Sequence, residues 1–309
     1  MAKLQLDQVI ILLADKDRGS RDSIRNILYN NGFRALRFAS SIEDIEEHFK
    51  AGMPDLLIAD LEMPDGDICE FVRKIRNHDV GQNPFLPVIT TTWAPTPQRV
   101  KDGINSGVDD ILPKPISSVH LSDRIMSMVG ARKPFVVTSD YIGPDRHRSG
   151  DRPSSVPLME VPNTLKAKAT GDGSADNIQA VIDAAIADIN IQKIERHSDE
   201  ISKIVVRILP ELKQGNHEGK VFGDLEKLFF VSEDTERRMA GTDYEHICEL
   251  CQSLNKVVKS LMDGVARGQT DVKDVQLLMP LSQAISMSFT GASDQDASVA
   301  RQISATVAG

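Results

Sequence analysis

Four polar side chains stand along the first part of the chain, each at the end of a short apolar run. They are two carboxylates, a hydroxyl and an ammonium group: Asp15, Asp60, Thr92 and Lys114. A carboxylate can attack phosphorus, while a hydroxyl and an ammonium group can hold the oxygens of the transferred group. If these side chains meet in one pocket, they suit phosphoryl transfer to a carboxylate.

The same residues offer ligands for a divalent cation. Mg²⁺ prefers hard oxygen donors. The carboxylates of Asp15 and Asp60 and a backbone carbonyl at Glu62 can supply them. We therefore expect a magnesium site, and no pattern for an organic cofactor is present.

A parallel sheet is needed to position these residues. Five short apolar runs alternate with five amphipathic stretches between residues 8 and 130. Residues 9–14 are continuously apolar, which is typical of a strand covered on both faces, whereas residues 21–28 have helical spacing. The alternation predicts an α/β fold with a five-stranded, parallel, doubly wound, flavodoxin-like sheet. The carboxyl ends of its strands converge, which would bring the four polar groups together.

The first part of the chain resembles the receiver domain of two-component response regulators. The stretches that carry the resemblance occur in order at residues 10–17, 54–67, 86–92 and 107–115. The resemblance implies that Asp60 accepts a phosphoryl group from a histidine kinase or phosphotransfer protein, and that Asp15 binds the metal. It also implies that Thr92 is the switch hydroxyl. Lys114, followed by a cis bond to Pro115, would pair with the phosphoryl group.

Three positions depart from the family pattern. Where the family carries two adjacent acids after the first strand, this chain has Lys16, and Asp17 follows one place later. The ammonium of Lys16 is then expected beside Asp60, where it competes with Mg²⁺ or replaces it in part. Trp93 takes the place of a small residue after the switch hydroxyl and is expected to cover the pocket. Ile111 takes the place of the usual aromatic switch, so ring rotation cannot be the readout.

These departures leave two interpretations of the receiver domain. In the first, Asp60 is phosphorylated and the chain is a response regulator. In the second, the domain is a pseudo-receiver that acts as a constitutive docking module.

We divide the chain into a receiver domain at 1–130, a linker at 131–175 and a helical output domain at 176–309. The linker is rich in proline and glycine, which predicts little regular structure. Residues 135–146 nevertheless contain apolar anchors and a turn signal that favour docking on a folded surface. No role follows from the sequence for residues 141–146.

Residues 176–309 predict a separate all-α helical bundle of four amphipathic helices, with a last helix over 298–307. The apolar stripe of the third helix suits either an internal core or a homodimer. No phosphate loop, metal-hydrolase spacing or other enzyme motif is present, so we expect output through a downstream protein partner. Two alternatives stay open: phosphotransfer through His197 or phosphatase activity, and an unrecognised DNA-binding output.

Charge and composition limit the classes of partner and the cellular compartment that we expect. The 309 residues carry a net charge of −9, and residues 171–309 hold 14 basic and 22 acidic side chains. This acidity disfavours nucleic acid as a partner. The absence of a long apolar run predicts no membrane span. The three cysteines cannot build a disulfide framework, which favours a reducing cytoplasm.

Overall fold

The computed structural model describes residues 4–146, 156–172, 175–215, 219–240 and 245–290. The chain divides into two compact units, with the boundary between Asp188 and Ile189. The helix expected over residues 298–307 lies outside the described residues. Within the described ranges, no helix is both long and apolar enough to cross a membrane.

The N-terminal unit contains a five-stranded parallel sheet in the order β2-β1-β3-β4-β5. Its strands are β1 (Ile10–Ala14), β2 (Ala35–Ala39), β3 (Leu56–Asp60), β4 (Val88–Thr92) and β5 (Asp110–Pro113). The helices between and after them are α1 (Arg18–Asn30), α2 (Ile42–Ala51), α3 (Ile68–Arg76), α4 (Pro97–Ser106) and α5 (Ser118–Gly130). This arrangement confirms the predicted doubly wound fold.

The central strands β1 and β3 are buried on both faces, which explains their apolar sequences. Successive side chains of a strand point to opposite faces. In β1, Ile11 and Leu13 pack in one core with residues of α1 and α5. Leu12 and Ala14 pack in a second core with residues of α2 and α3. β1 and β3 therefore need apolar residues at consecutive positions, and their first polar side chains, Asp15 and Asp60, come at the carboxyl ends.

The segment after α5 differs from the expected linker without regular structure. It contains β6 (Phe135–Val137), β7 (Ile142–Pro144), β8 (Leu158–Met159) and α6 (Thr164–Thr170). The three strands form an antiparallel sheet in the order β7-β6-β8, which we call the accessory sheet. Its apolar residues are few, and all but Leu158 are buried, so they order a segment whose composition alone suggests a coil.

Contacts between two buried arginines and the ring of Phe135 attach the accessory sheet to the α/β core. Phe135 is fully buried, and the guanidinium groups of Arg76 and Arg132 lie 5.3 and 4.9 Å from its ring centroid. Both arginines also pair with the Asp109 carboxylate, at 3.1 and 3.0 Å. Burial lowers the pKa of Arg76 to about 10, against the opposing effect of Asp109. The apolar anchor seen in the sequence therefore docks through its aromatic face, as expected for residues 135–146.

The C-terminal part is helical, as predicted. Its helices are α7 (Ala175–Lys213), α8 (Gly219–Met239), α9 (Glu245–Ala266) and α10 (Val272–Thr290). The boundary between the two units falls within α7. The apolar stripe of α9 lies in the core of the C-terminal unit, where Leu250, Leu254 and Leu261 are fully buried. The stripe thus serves an internal core.

Candidate functional site

Three of the four predicted polar residues meet at the carboxyl edge of the sheet. Lys114 Nζ lies 2.5 Å from Asp15 Oδ2 and 2.5 Å from Asp60 Oδ2. All three side chains are nearly inaccessible to solvent. Asp15 directly follows β1, Asp60 ends β3 and Lys114 directly follows β5, and β1 and β3 are adjacent in the sheet. One ammonium group thus faces two buried carboxylates, and the three groups together carry a net negative charge.

Backbone amides fix the remaining oxygens of the two carboxylates. Asp15 Oδ1 accepts a hydrogen bond from the amide of Asp17 at 2.9 Å. Asp60 Oδ1 accepts one from the amide of Glu62 at 3.1 Å. Each carboxylate is therefore held by the amide two residues later in its own loop. This orientation leaves the other oxygen directed at Lys114.

Thr92 ends β4 next to the carboxylates. β4 pairs with β3 in a register that puts Asp60 opposite Thr91, one residue before Thr92. The Thr92 side chain is fully buried, and its hydroxyl accepts a hydrogen bond from the amide of Ala94 at 3.1 Å. Its carbonyl accepts one from the Lys114 amide at 2.8 Å. The strand pairing therefore places the hydroxyl at the same edge, while its hydrogen bond goes to its own loop.

Lys16 takes a different partner from the expected one. Its ammonium lies 3.8 Å from Glu62 Oε2, and the ammonium in contact with Asp60 is that of Lys114. Arg99, on α4, binds the other oxygen of Glu62. The Glu62 carboxylate thus forms ion pairs with both Lys16 and Arg99 beside the pocket, although the sequence suggests a role only for its backbone carbonyl. Arg99 was missed because no local signal links it to an acid 37 residues earlier in the chain.

The other two divergent residues have separate contacts. Trp93 is 56% exposed, and its ring centroid lies 5.7 Å from Lys114 Nζ, so it covers the lysine from the solvent side. Ile111, on β5, is partly buried against the second core. A Cβ atom on Gly103 of α4 would lie 2.7 Å from Ile111 Cδ1. The isoleucine therefore packs tightly under α4.

The Asp17 side chain caps the N-terminus of α1. It accepts a hydrogen bond from the Ser20 amide at 2.6 Å, as an N-cap residue does. The metal-binding potential of the pocket thus rests on Asp15 and Asp60. In the described ranges, no group of three or more histidine, cysteine or acidic side chains is arranged to hold a metal. The predicted cis bond between Lys114 and Pro115 is confirmed.

His197 lies inside the C-terminal unit. Its ring is fully buried, Nδ1 is 3.0 Å from Thr235 Oγ1, and Nε2 is 3.6 Å from Asp234 Oδ2. A histidine that exchanges phosphoryl groups with another protein must reach solvent. This burial disfavours the phosphotransfer alternative.

Known proteins similar to this chain match its N-terminal part. The family model of the response regulator receiver domain matches residues 11–126, the region for which the sequence predicts that resemblance. The response regulator MprA of Mycobacterium tuberculosis strain H37Rv is 31% identical over 126 residues, which are 41% of this chain and 53% of that protein. MprA of Mycobacterium leprae is 32% identical over 124 residues, 40% of this chain and 52% of that protein. This chain thus spans about half the length of these curated relatives.

Solved structures of receiver domains cover a similar share of this chain. The chemotaxis response regulator CheY4 of Vibrio cholerae has 22% identity and a TM-score of 0.35, covering 38% of this chain and 97% of that one. The receiver domain of the sensor histidine kinase PA1611 from Pseudomonas aeruginosa PAO1 has 22% identity and a TM-score of 0.34. It covers 38% of this chain and 94% of that one, and was solved with a magnesium ion in its active site cleft.

Proposed function

We propose that this chain, whose residues 11–126 match the receiver domain of response regulators, is phosphorylated on Asp60. The phosphoryl group would come from a partner histidine kinase or phosphotransfer protein. The observation that carries the proposal is the contact of one buried ammonium, that of Lys114, with the carboxylates of Asp15 and Asp60. A cation at that point can neutralise an acyl phosphate as it forms.

In the proposed reaction, an Asp60 carboxylate oxygen attacks the phosphorus of a phosphohistidine. An O–P bond forms while the N–P bond breaks, and the departing imidazole nitrogen takes up a proton from water. Lys114 pairs with the new phosphoryl oxygens. The Thr92 hydroxyl would exchange its bond from the Ala94 amide for one to the phosphoryl group.

The donor set of the pocket fits a magnesium ion. Asp15 and Asp60 supply carboxylate oxygens, the Glu62 carbonyl would supply a third, and the excess negative charge favours a cation. A bound ion would offset the charge of the transferred group. Because Lys114 already contacts both carboxylates, we expect metal binding to draw its ammonium away from one of them. Lys16, paired with Glu62, would contribute a further positive charge at the mouth of the pocket.

Phosphoryl incorporation from acetyl phosphate tests the proposal. We expect the wild-type chain to gain one phosphoryl group in the presence of Mg²⁺, Asp60→Asn to gain none, and the exposed-site control Asp123→Asn to behave like wild type. Incorporation that persists in Asp60→Asn would assign the acceptor elsewhere. A comparison without Mg²⁺ measures how far the lysines replace the metal.

The pairing of Lys114 with both carboxylates also favours a second candidate, a pseudo-receiver that docks partners without phosphate. Lys114 itself supplies a counter-charge that both carboxylates share, so the resting fold does not depend on a ligand. Absence of labelling in wild type and in Trp93→Ala, with acetyl phosphate and with histidine kinases of the same cell, would select this candidate.

For the C-terminal unit we propose output through a downstream protein partner. The observation behind it is that the described helices form a bundle with an internal apolar core and an acidic overall composition. Affinity capture with the full chain, phosphorylated against Asp60→Asn, tests whether a partner distinguishes the two states. Salt-sensitive retention of duplex DNA would support a DNA-binding output instead.

A further inference from the structure

Helix α4 is weakly held to the rest of the N-terminal unit. Of its residues, only Gly103 and Ser106 are buried, and Ile104 is exposed. The neighbouring α3, by contrast, buries six residues. Elements with few buried apolar contacts shift at low free-energy cost. Apart from the packing of Ile111 against Gly103, the position of α4 therefore depends on the contacts at its two ends.

The N-terminal end of α4 is tied to the candidate phosphorylation site. Arg99, in the first turn, binds the Glu62 carboxylate. The amide of Glu62 in turn donates a hydrogen bond to Asp60 Oδ1. A change at the Asp60 carboxylate thus acts on the loop that holds Arg99.

The C-terminal end of α4 is tied to the accessory sheet. Arg146 Nη1 donates a hydrogen bond to Asn105 Oδ1 at 2.6 Å, and its guanidinium lies 3.5 Å from the Tyr141 ring centroid. Gly107 follows α4 with φ +92°, and a Cβ atom there would lie 2.7 Å from the Ile142 carbonyl oxygen. The segment 141–146 thus contacts the last turn of α4 and the loop after it.

We propose that the hairpin of β6 and β7 senses the position of α4, so that phosphorylation of Asp60 is relayed to the accessory sheet. The proposal rests on the proposed function. Phosphorylation replaces the single negative charge of the Asp60 carboxylate with about −1.5 to −2 on the phosphoryl oxygens at neutral pH, and it moves that charge outward from Asp60. The phosphoryl group therefore competes with Glu62 for the Arg99 guanidinium and draws α4 toward the pocket. The bond between Asn105 and Arg146 at the other end then weakens, and the hairpin loosens.

Hydrogen exchange of the full-length chain tests this relay. The reporters are the amides of Thr138 and Asp145, which donate to the carbonyls of Tyr141 and Pro134, both at 2.8 Å. The chain is treated with acetyl phosphate and Mg²⁺, and loading is measured separately by intact mass. We expect exchange at both amides to accelerate about fivefold or more on loading, in the range of a typical allosteric coupling.

Two variants isolate the contact with α4. Arg146→Gln should load normally, exchange fast at both amides before loading, and show no further acceleration. Arg34→Gln is the matched control, because Arg34 also stacks on a tyrosine, Tyr29, and donates to backbone carbonyls. It should respond like wild type.

The outcomes separate this relay from the proposed function. Loading of wild type without a change in hairpin exchange would overturn the relay and leave Asp60 as the acceptor. Absence of loading, with acetyl phosphate and with histidine kinases of the same cell, would overturn the proposed function. In that case Arg99→Gln decides the relay, because it releases α4 from Glu62 without phosphate. Faster hairpin exchange in this variant would support the mechanical link, and unchanged exchange would overturn it.

Discussion

Among individual residues, Lys114 is the cation that contacts both carboxylates of the pocket. Its ammonium is buried between two carboxylates. The positive charge offsets the free-energy cost of removing these two acids from water. Trp93 shields the same ammonium from solvent. The two side chains thus define the resting state of the pocket, and each leads to a separate prediction.

Replacing Lys114 by glutamine leaves two buried carboxylates without a counter-charge. We expect Lys114→Gln to lower the free energy of unfolding by about 3–5 kcal/mol in metal-free buffer. Mg²⁺ should restore part of the loss, because it would take the place of the ammonium. Denaturant unfolding with and without Mg²⁺ checks this, with the exposed Lys166→Gln as control. Equal stability of Lys114→Gln and wild type would contradict the prediction.

Removing the indole of Trp93 should speed phosphoryl transfer. A cation–π contact at an exposed site is worth about 0.5–1 kcal/mol, equivalent to about two- to fivefold in rate. Trp93→Ala frees Lys114 and opens the pocket, so labelling by acetyl phosphate and later hydrolysis should both accelerate by that factor. Rapid-quench labelling measures both rates, and Trp93→Phe, which keeps an aromatic face, should lie in between. Slower labelling of Trp93→Ala would show that the indole assists the reaction.

Among the elements, α4 and the accessory sheet depend on close backbone approach. Gly107 takes a left-handed conformation where α4 ends, and Ile142 of β7 passes directly over it. The contact is possible because residue 107 has no side chain. The sheet is therefore positioned by a glycine of the α/β core as much as by its own residues.

An alanine at position 107 should disrupt this contact. The left-handed backbone costs about 1–2 kcal/mol with a Cβ atom, and the overlap with the Ile142 carbonyl adds to that. We expect Gly107→Ala to lower the free energy of unfolding by more than this amount and to speed exchange in β6 and β7.

The control for this substitution is Gly130→Ala. Gly130 ends α5 with no atom within 4 Å of an added Cβ, so its replacement should be neutral or stabilising by up to about 1 kcal/mol. Similar effects of the two substitutions on unfolding would contradict the assigned contact.

At the scale of the whole molecule, the two units have separate cores. The apolar cluster of the C-terminal unit draws on residues from Ile194 to Ile285, whereas both clusters of the N-terminal unit end by Ala169. The single tryptophan, Trp93, belongs to the N-terminal unit. Tryptophan fluorescence therefore reports on one unit, while far-ultraviolet circular dichroism reports on both.

The charged cluster around Asp234 predicts a pH dependence confined to the C-terminal unit. Burial opposes ionisation of Asp234, but Arg238, His197 and Arg237 together outweigh it and lower the pKa of the carboxyl. Asp234 thus contributes stability above its unfolded-state pKa, and this is lost as pH falls through the lower folded-state pKa.

Asp234→Asn removes this contribution. We expect it to lower the free energy of unfolding of the C-terminal unit by about 3–5 kcal/mol at neutral pH. This difference in stability from wild type should become smaller at acidic pH. The dichroism transition should shift while the Trp93 fluorescence transition stays in place. A shift in both would mean that the units unfold together.

The sequence by itself determined the α/β fold, the helical C-terminal part and the convergence of Asp15, Asp60 and Lys114. Periodicity reports burial directly, and parallel strands bring their carboxyl ends to one edge. Only the tertiary structure decided that Lys16 pairs with Glu62 and not with Asp60, that Arg99 shares this glutamate, and that residues 135–146 supply two strands of an ordered sheet. These features depend on contacts between residues that are distant in the chain. Such contacts produce no periodic pattern in the sequence, so they could not be predicted from it.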